Sequence, residues 1–187
     1  EVAEALKSLG CSSKGPIAEQ QKRLQEVEAL VARAKATQKL KRREDPALLE
    51  LLRDGNVPKG DVFIRMLESG ADPNIAAKGG SGGVQPGVTP LLAAAAWGAL
   101  DEMRLLIAAG ADVQATSPST QGHTALHIVA GGNIEVWGAD KVQGMCRLLV
   151  HTDPSLLQVK NHDGKIPIDW AKTRQKSKTV RFLTELS

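Results

Sequence analysis

Short apolar runs at helical spacing, separated by polar turns, recur through most of this chain. Leu48, Leu49, Leu51 and Leu52 follow that spacing, as do Val62, Phe63, Met66 and Leu67, and each run predicts a one-sided helix. The Ala93-Ala94-Ala95-Ala96 run has side chains small enough for helices to approach closely, and Gly98 is free to take positive φ. Helices this short are marginal alone in water, so each pair must bury its apolar faces on its neighbours. Thr89 and Thr124 suit N-caps, and Pro90 and Pro167 suit first-turn positions that need no N–H.

Residues 16–44 are patterned differently. They lack Gly and any internal Pro and are rich in Ala, Leu, Glu, Gln and Lys, which predicts one helix of roughly 40 Å. Its apolar stripe of Ile17, Leu24, Val27, Val31 and Ala34 is narrow, and Gln20 and Gln38 interrupt it. That is too short and polar for a self-associating coiled coil. Val2, Ala3, Leu6 and Leu9 predict a preceding helix that ends at Gly10.

The turns between helices restate one another. Gly87-Val88-Thr89-Pro90-Leu91 is echoed by Gly122-His123-Thr124-Ala125-Leu126-His127 and by Gly164-Lys165-Ile166-Pro167-Ile168-Asp169, and Gly70-Ala71-Asp72 by Gly110-Ala111-Asp112. A recurring unit of this size means stacked repeats. The unit resembles the ankyrin repeat, without a gap over 87–115 and 164–186, and with an insertion at 133–140 in the third unit. The resemblance implies an all-α solenoid of helix-turn-helix repeats with β-hairpin or loop tips. Its repeats are expected at about 45–78, 87–115, 122–160 and 164–187, forming a domain over 45–187 after a helical extension over 1–44. The long helix is expected to pack on the first repeat, with docking to another protein as the alternative. The resemblance also implies motif roles for Thr89, Pro90, Gly98, Gly110 and Asp112, and a hydrogen-bonded pair of Thr124 with His127.

Composition agrees with such a fold. The 187 residues are 42% hydrophobic but only 3% aromatic, with no Tyr, so the core is built on Ala and Leu. No apolar run is long enough for a transmembrane helix. Cys11 and Cys146 make no disulfide framework, and Cys146 reads as a small buried hydrophobe. A reducing compartment is expected, cytoplasmic or nuclear. The start at Glu1 fits a fragment or a processed chain, so an organelle reached through a removed targeting peptide is the alternative. The net charge is +3, which alone implies no class of partner. Basic runs at Lys39, Lys41, Arg42, Arg43 and at Lys172, Arg174, Lys176, Lys178, Arg181 read as a solvated helix end and a polar capping repeat, with a surface for an acidic partner or a nucleic-acid backbone as the alternative. A nucleic-acid partner is disfavoured by the scarcity of stacking aromatics.

Apparent chemical motifs lack their context. Gly79-Gly80-Ser81-Gly82-Gly83 has the spelling of a nucleophile elbow but lies in a Gly/Ser-rich loop with no acid or His partner. Cys146, His151 and His162 fit no metal spacing. No catalytic residue, metal, cofactor or small-molecule substrate is therefore expected. The resemblance implies protein–protein recognition, as an adaptor or scaffold, or else as a permanently bound structural or peripheral subunit of a larger multiprotein complex, an organellar one included. It places the binding residues on the exposed side of the inner helices, at Ala96, Trp97, Thr173 and Arg174, with Gly131 and Gly132 at the equivalent positions between them. Trp137, in the insertion, is a further candidate contact, whereas Trp170 is expected in the core. The composition of Thr116-Ser117-Pro118-Ser119-Thr120 suits a phosphorylation site.

Overall fold

The computed structural model describes residues 4–6, 17–41, 48, 60–78, 85–132 and 134–186. Nine helices, and no strand, form among them: α1 (Ile17–Ala36), α2 (Gly60–Glu68), α3 (Pro90–Trp97), α4 (Leu100–Ala108), α5 (Ala125–Gly131), α6 (Ile134–Trp137), α7 (Ala139–Thr152), α8 (Pro167–Thr173) and α9 (Ser177–Leu186). They build a two-layered solenoid. The inner layer stacks α3 on α5 and α5 on α8. The outer layer runs α2, α4, α7, α9, each packed on the next.

Local chemistry sets the boundaries. Thr89 accepts a hydrogen bond from the Leu92 N–H at 3.4 Å, Pro90 begins α3, and Gly98 ends it at φ +67°. Residues 90–95 are all buried. Such an all-round apolar helix is stable only between neighbours, here α4 and α5. The Asp72 carboxylate accepts from the Asn74 N–H, and Asp112 likewise from Gln114, both at 2.9 Å. These turns then tie successive repeats. Asn74 Oδ1 accepts from the Asp112 N–H at 2.7 Å while its Nδ2 donates to the Gly110 carbonyl at 3.0 Å. Gln114 Nε2 repeats the move one unit later, donating to Asp153 at 2.7 Å. Between them Ala77 N–H donates to Val88 O at 3.0 Å and Gly87 N–H to Ala77 O at 2.8 Å.

Several expectations are corrected. The long helix ends at Ala36 rather than near residue 44, and a single 3₁₀ turn follows it. Thr37 Oγ1 donates back to the Ala34 carbonyl at 2.7 Å, drawing the chain into the tighter turn. The helix packs on α4 as well as on α2, so it spans two units instead of shielding only the first. Arg33 donates twice to Glu68, at 2.9 and 3.0 Å, and holds that carboxyl below its usual range. Gln38 Nε2 donates to the Ala108 carbonyl at 2.7 Å. Because α2 is packed on two sides, Ile64 is buried with Phe63 and Leu67, whereas Val62 is exposed. The same cover makes α4 buried nearly all round, including Glu102 and Arg104. Burial pushes the Glu102 carboxyl up, and Arg104 donates to Asp101 at 2.7 Å.

Trp170 is half-buried rather than core. Its helix is the last of the inner layer, so only one inner neighbour covers it. Cys146 is fully buried, and burial pushes its thiol up to about 12. Leu49, Leu51, Leu52, Arg42, Arg43, Cys11, Ser81 and most of residues 1–10 lie outside the described residues.

Candidate binding face of the inner helices

The inner helices end together. Ala96 and Trp97 close α3, Gly131 and Gly132 close α5, and Thr173 and Arg174 close α8. Each set stands at the same distance from its N-cap position, Thr89, Thr124 or Ile166. Ala96, Thr173 and Arg174 are exposed. Trp97 is 49% exposed, although every residue of α3 before Ala96 is buried. Thr173 Oγ1 donates to the Asp169 carbonyl at 2.9 Å, which fixes its rotamer against the helix.

Trp137 comes from α6, which the inserted residues form. Its indole fills the notch between two helix ends. A Cβ at Gly98 would fall 2.8 Å from the ring, and one at Gly132 would overlap it. Gly98 therefore needs its missing side chain twice over, for its positive φ and for this ring. Trp170 sits in the same way over Gly131, whose Cβ would overlap the indole Nε1. The Lys165 ammonium and the Arg174 guanidinium lie 5.9 and 5.7 Å from the Trp170 ring centre, within cation–π range.

Behind this edge lies a buried polar network that joins α5 to the turn before α8. His127 Nε2 lies 2.9 Å from the Lys165 carbonyl, which can only accept, so Nε2 carries the proton. Nδ1 then accepts from the Thr124 hydroxyl at 2.9 Å and the Thr124 N–H at 3.3 Å. Asn161 Oδ1 accepts from the N–H groups of Asp163 and Lys165, at 3.0 and 2.9 Å. Its Nδ2 therefore donates to His123 Nε2 at 3.0 Å. Both histidines are thus neutral, and burial is the main reason their pKa values are lowered. The His123 ring also packs 4.3 Å from Trp170.

His123 and Asn161 were missed as partners, since each reads alone as a polar loop residue. A signal was present: polar residues about one repeat apart are tied throughout, as Asn74 is to Asp112 and His127 to Lys165. At the hairpin tips Gly110 takes φ +93° and, like Asp112, is exposed. Ser117, the centre of the suggested phosphorylation tip, is fully buried and donates to the Pro86 carbonyl at 2.9 Å.

Among the described residues no helix is long and apolar enough to cross a membrane. The family model for the ankyrin repeat matches residues 87–118. That span holds α3, α4 and the turn that ties them to the next unit. No curated protein matches the chain.

Proposed function

We propose that this chain, whose residues 87–118 match the ankyrin-repeat model, a unit that generally serves protein–protein interaction, is a non-catalytic adaptor or scaffold that recognises another protein along its inner helix ends. One observation carries the reading. Trp97 keeps 49% of its surface in water at a position where the stack has no use for it. A large rigid side chain exposed in this way is an interface anchor, and hot spots are enriched in Trp. Residues 45–187 would be the recognition domain and residues 1–44 its extension. The buried, unpaired Cys146 suits a reducing, intracellular setting.

The test is affinity purification with the whole chain as bait, identification of captured proteins by mass spectrometry, and calorimetry of the leading partner. Trp97→Ala should weaken binding by at least about 2 kcal/mol, with a much smaller loss of stability than Leu106→Ala. Unfolding of the domain by Trp97→Ala, or unchanged binding, would move the recognition surface to the hairpin tips or to α1.

A second reading, a permanent subunit of a larger assembly, is favoured by Ile17 and Val136, which stand 70% and 74% exposed. A permanent subunit purifies only with its neighbours, whereas an adaptor is monomeric and dispersed alone. Sedimentation of the isolated chain separates the two.

A further inference from the structure

Of the three tryptophans of this chain, Trp97 and Trp137 lie at the C-terminal ends of inner helices, and the Trp170 ring reaches the same edge at Gly131 from the first turn of α8. Trp97 stands at the end of α3, Trp137 bridges the ends of α3 and α5, and Trp170 lies over the end of α5. Gly98, Gly131 and Gly132 are the residues they cover. The edge is therefore floored by indole faces instead of projecting side chains. Its middle exists only because the insertion supplies Trp137.

The two ends of this row differ in charge. Residues 90–100, which include Trp97, carry no ionisable group. At the other end Lys165 and Arg174 lie near the Trp170 ring. Lys172 is neutralised by Asp169 at 3.1 Å, but Lys165 and Arg174 have no ion-pair partner among the described residues. Helices pack about 8–10 Å apart, so α3 to α8 is roughly 16–20 Å. An extended chain at about 3.3 Å per residue covers that span in about five or six residues.

We propose that the edge is a slot for an extended segment of another protein, with an apolar or aromatic residue at Trp97 and an acidic pair about five or six residues away, at Lys165 and Arg174. The segment's backbone lies flat over Trp137, whose indole fills the space beside Gly98 and Gly132. The proposal rests on the reading of this edge as the recognition surface and adds the chemistry of its occupant. A nucleic-acid strand would also stack on aromatic faces, but its phosphates would find no cation in residues 90–100.

The experiment presents a random peptide library on phage to the whole chain. Enriched peptides are then titrated against the wild type, Trp97→Ala and Arg174→Glu, using fluorescence anisotropy of a dye on the peptide. Arg174 is exposed, so its variant should fold, and circular dichroism checks that both variants do. The expected result is enrichment of peptides that pair an apolar residue with acidic residues five or six positions away. Each variant should weaken them at least tenfold, with the Arg174 contribution falling as salt rises. Sensitivity to Trp97→Ala without sensitivity to Arg174→Glu would overturn the acidic segment and leave the recognition edge standing. Enriched peptides indifferent to both variants would remove the edge itself. Failure to enrich any peptide would overturn the linear segment, while the affinity purification still decides the broader reading. Tighter binding of an oligothymidylate than of any peptide would overturn it in favour of a nucleic-acid strand.

Discussion

Replacing Gly132 with Ala gives a test in which the sign of the effect carries the answer. Gly132 ends α5 at φ −69° and ψ 173°, a conformation open to any residue. On backbone grounds alone, Gly→Ala at such a site stabilises by about 0.4–1 kcal/mol, because the unfolded chain loses freedom. The added methyl, however, would overlap the Trp137 ring, and overpacking of this kind costs about 1–3 kcal/mol. The expected net is a loss of about 1–2 kcal/mol, or a fall in Tm of a few degrees for a chain of this length. In a Trp137→Ala background the overlap is gone, so the same substitution should become stabilising. Gly98 is the internal control. Its φ of +67° costs an Ala about 1–2 kcal/mol even after the ring is removed, so Gly98→Ala should be only partly rescued. Urea unfolding followed by circular dichroism measures all of these. Stabilisation by Gly132→Ala in the wild type, or effects that add within about 0.5 kcal/mol, would refute the seating of Trp137 in the notch.

Leu106, fully buried in α4, should lose about 2–5 kcal/mol on truncation to Ala, and a loss under about 1 kcal/mol in urea would contradict the packing described. The two neutral histidines should make stability depend on pH. Their folded pKa values are lowered, so their contribution is complete above the unfolded value of about 6.5 and is lost as pH falls from there through the folded values. Glu102, with its raised pKa, works in the opposite direction, its contribution present at low pH and lost as pH rises. Comparing wild type with His127→Gln isolates the imidazole: the stability gap should be wider at neutral pH than near pH 5, and a constant gap would count against a buried neutral ring.

The sequence made the helix pairs legible where local chemistry decides them. Thr89, Pro90 and Gly98 are strong enough signals to bound α3 without knowledge of its neighbours. The Thr124 and His127 geometry is equally local, three residues apart on one helical turn. What was hidden depends on non-local cover. Nothing local foretells the burial of the charged Glu102 and Arg104; α1 packs across α4, and Gln38, in the turn after α1, bonds Ala108 about seventy positions away. Val62 and Ile64 exchanged roles for the same reason. Trp137 could be recognised as surplus to the repeat, but its seat required knowing that Gly98 and Gly132, far apart in sequence, end side by side. The end of the long helix at Ala36 escaped because residues 37–44 have good helix propensity, and the Thr37 hydroxyl diverts the backbone there.

The row of indoles also makes the molecule its own optical reporter. With no Tyr and three Trp, emission excited at the indole band arises from one edge of the stack. The remote hairpin tips, the outer layer and α1 are dark. An emission change without loss of helical ellipticity therefore places an event at that edge, whereas loss of ellipticity with steady emission places it elsewhere. Trp170, in contact with the ring of His123, adds a chemical sensitivity, since a protonated imidazole quenches an adjacent excited indole. Emission followed against pH would then register the opening of the buried network between the last two units, separately from unfolding of the rest.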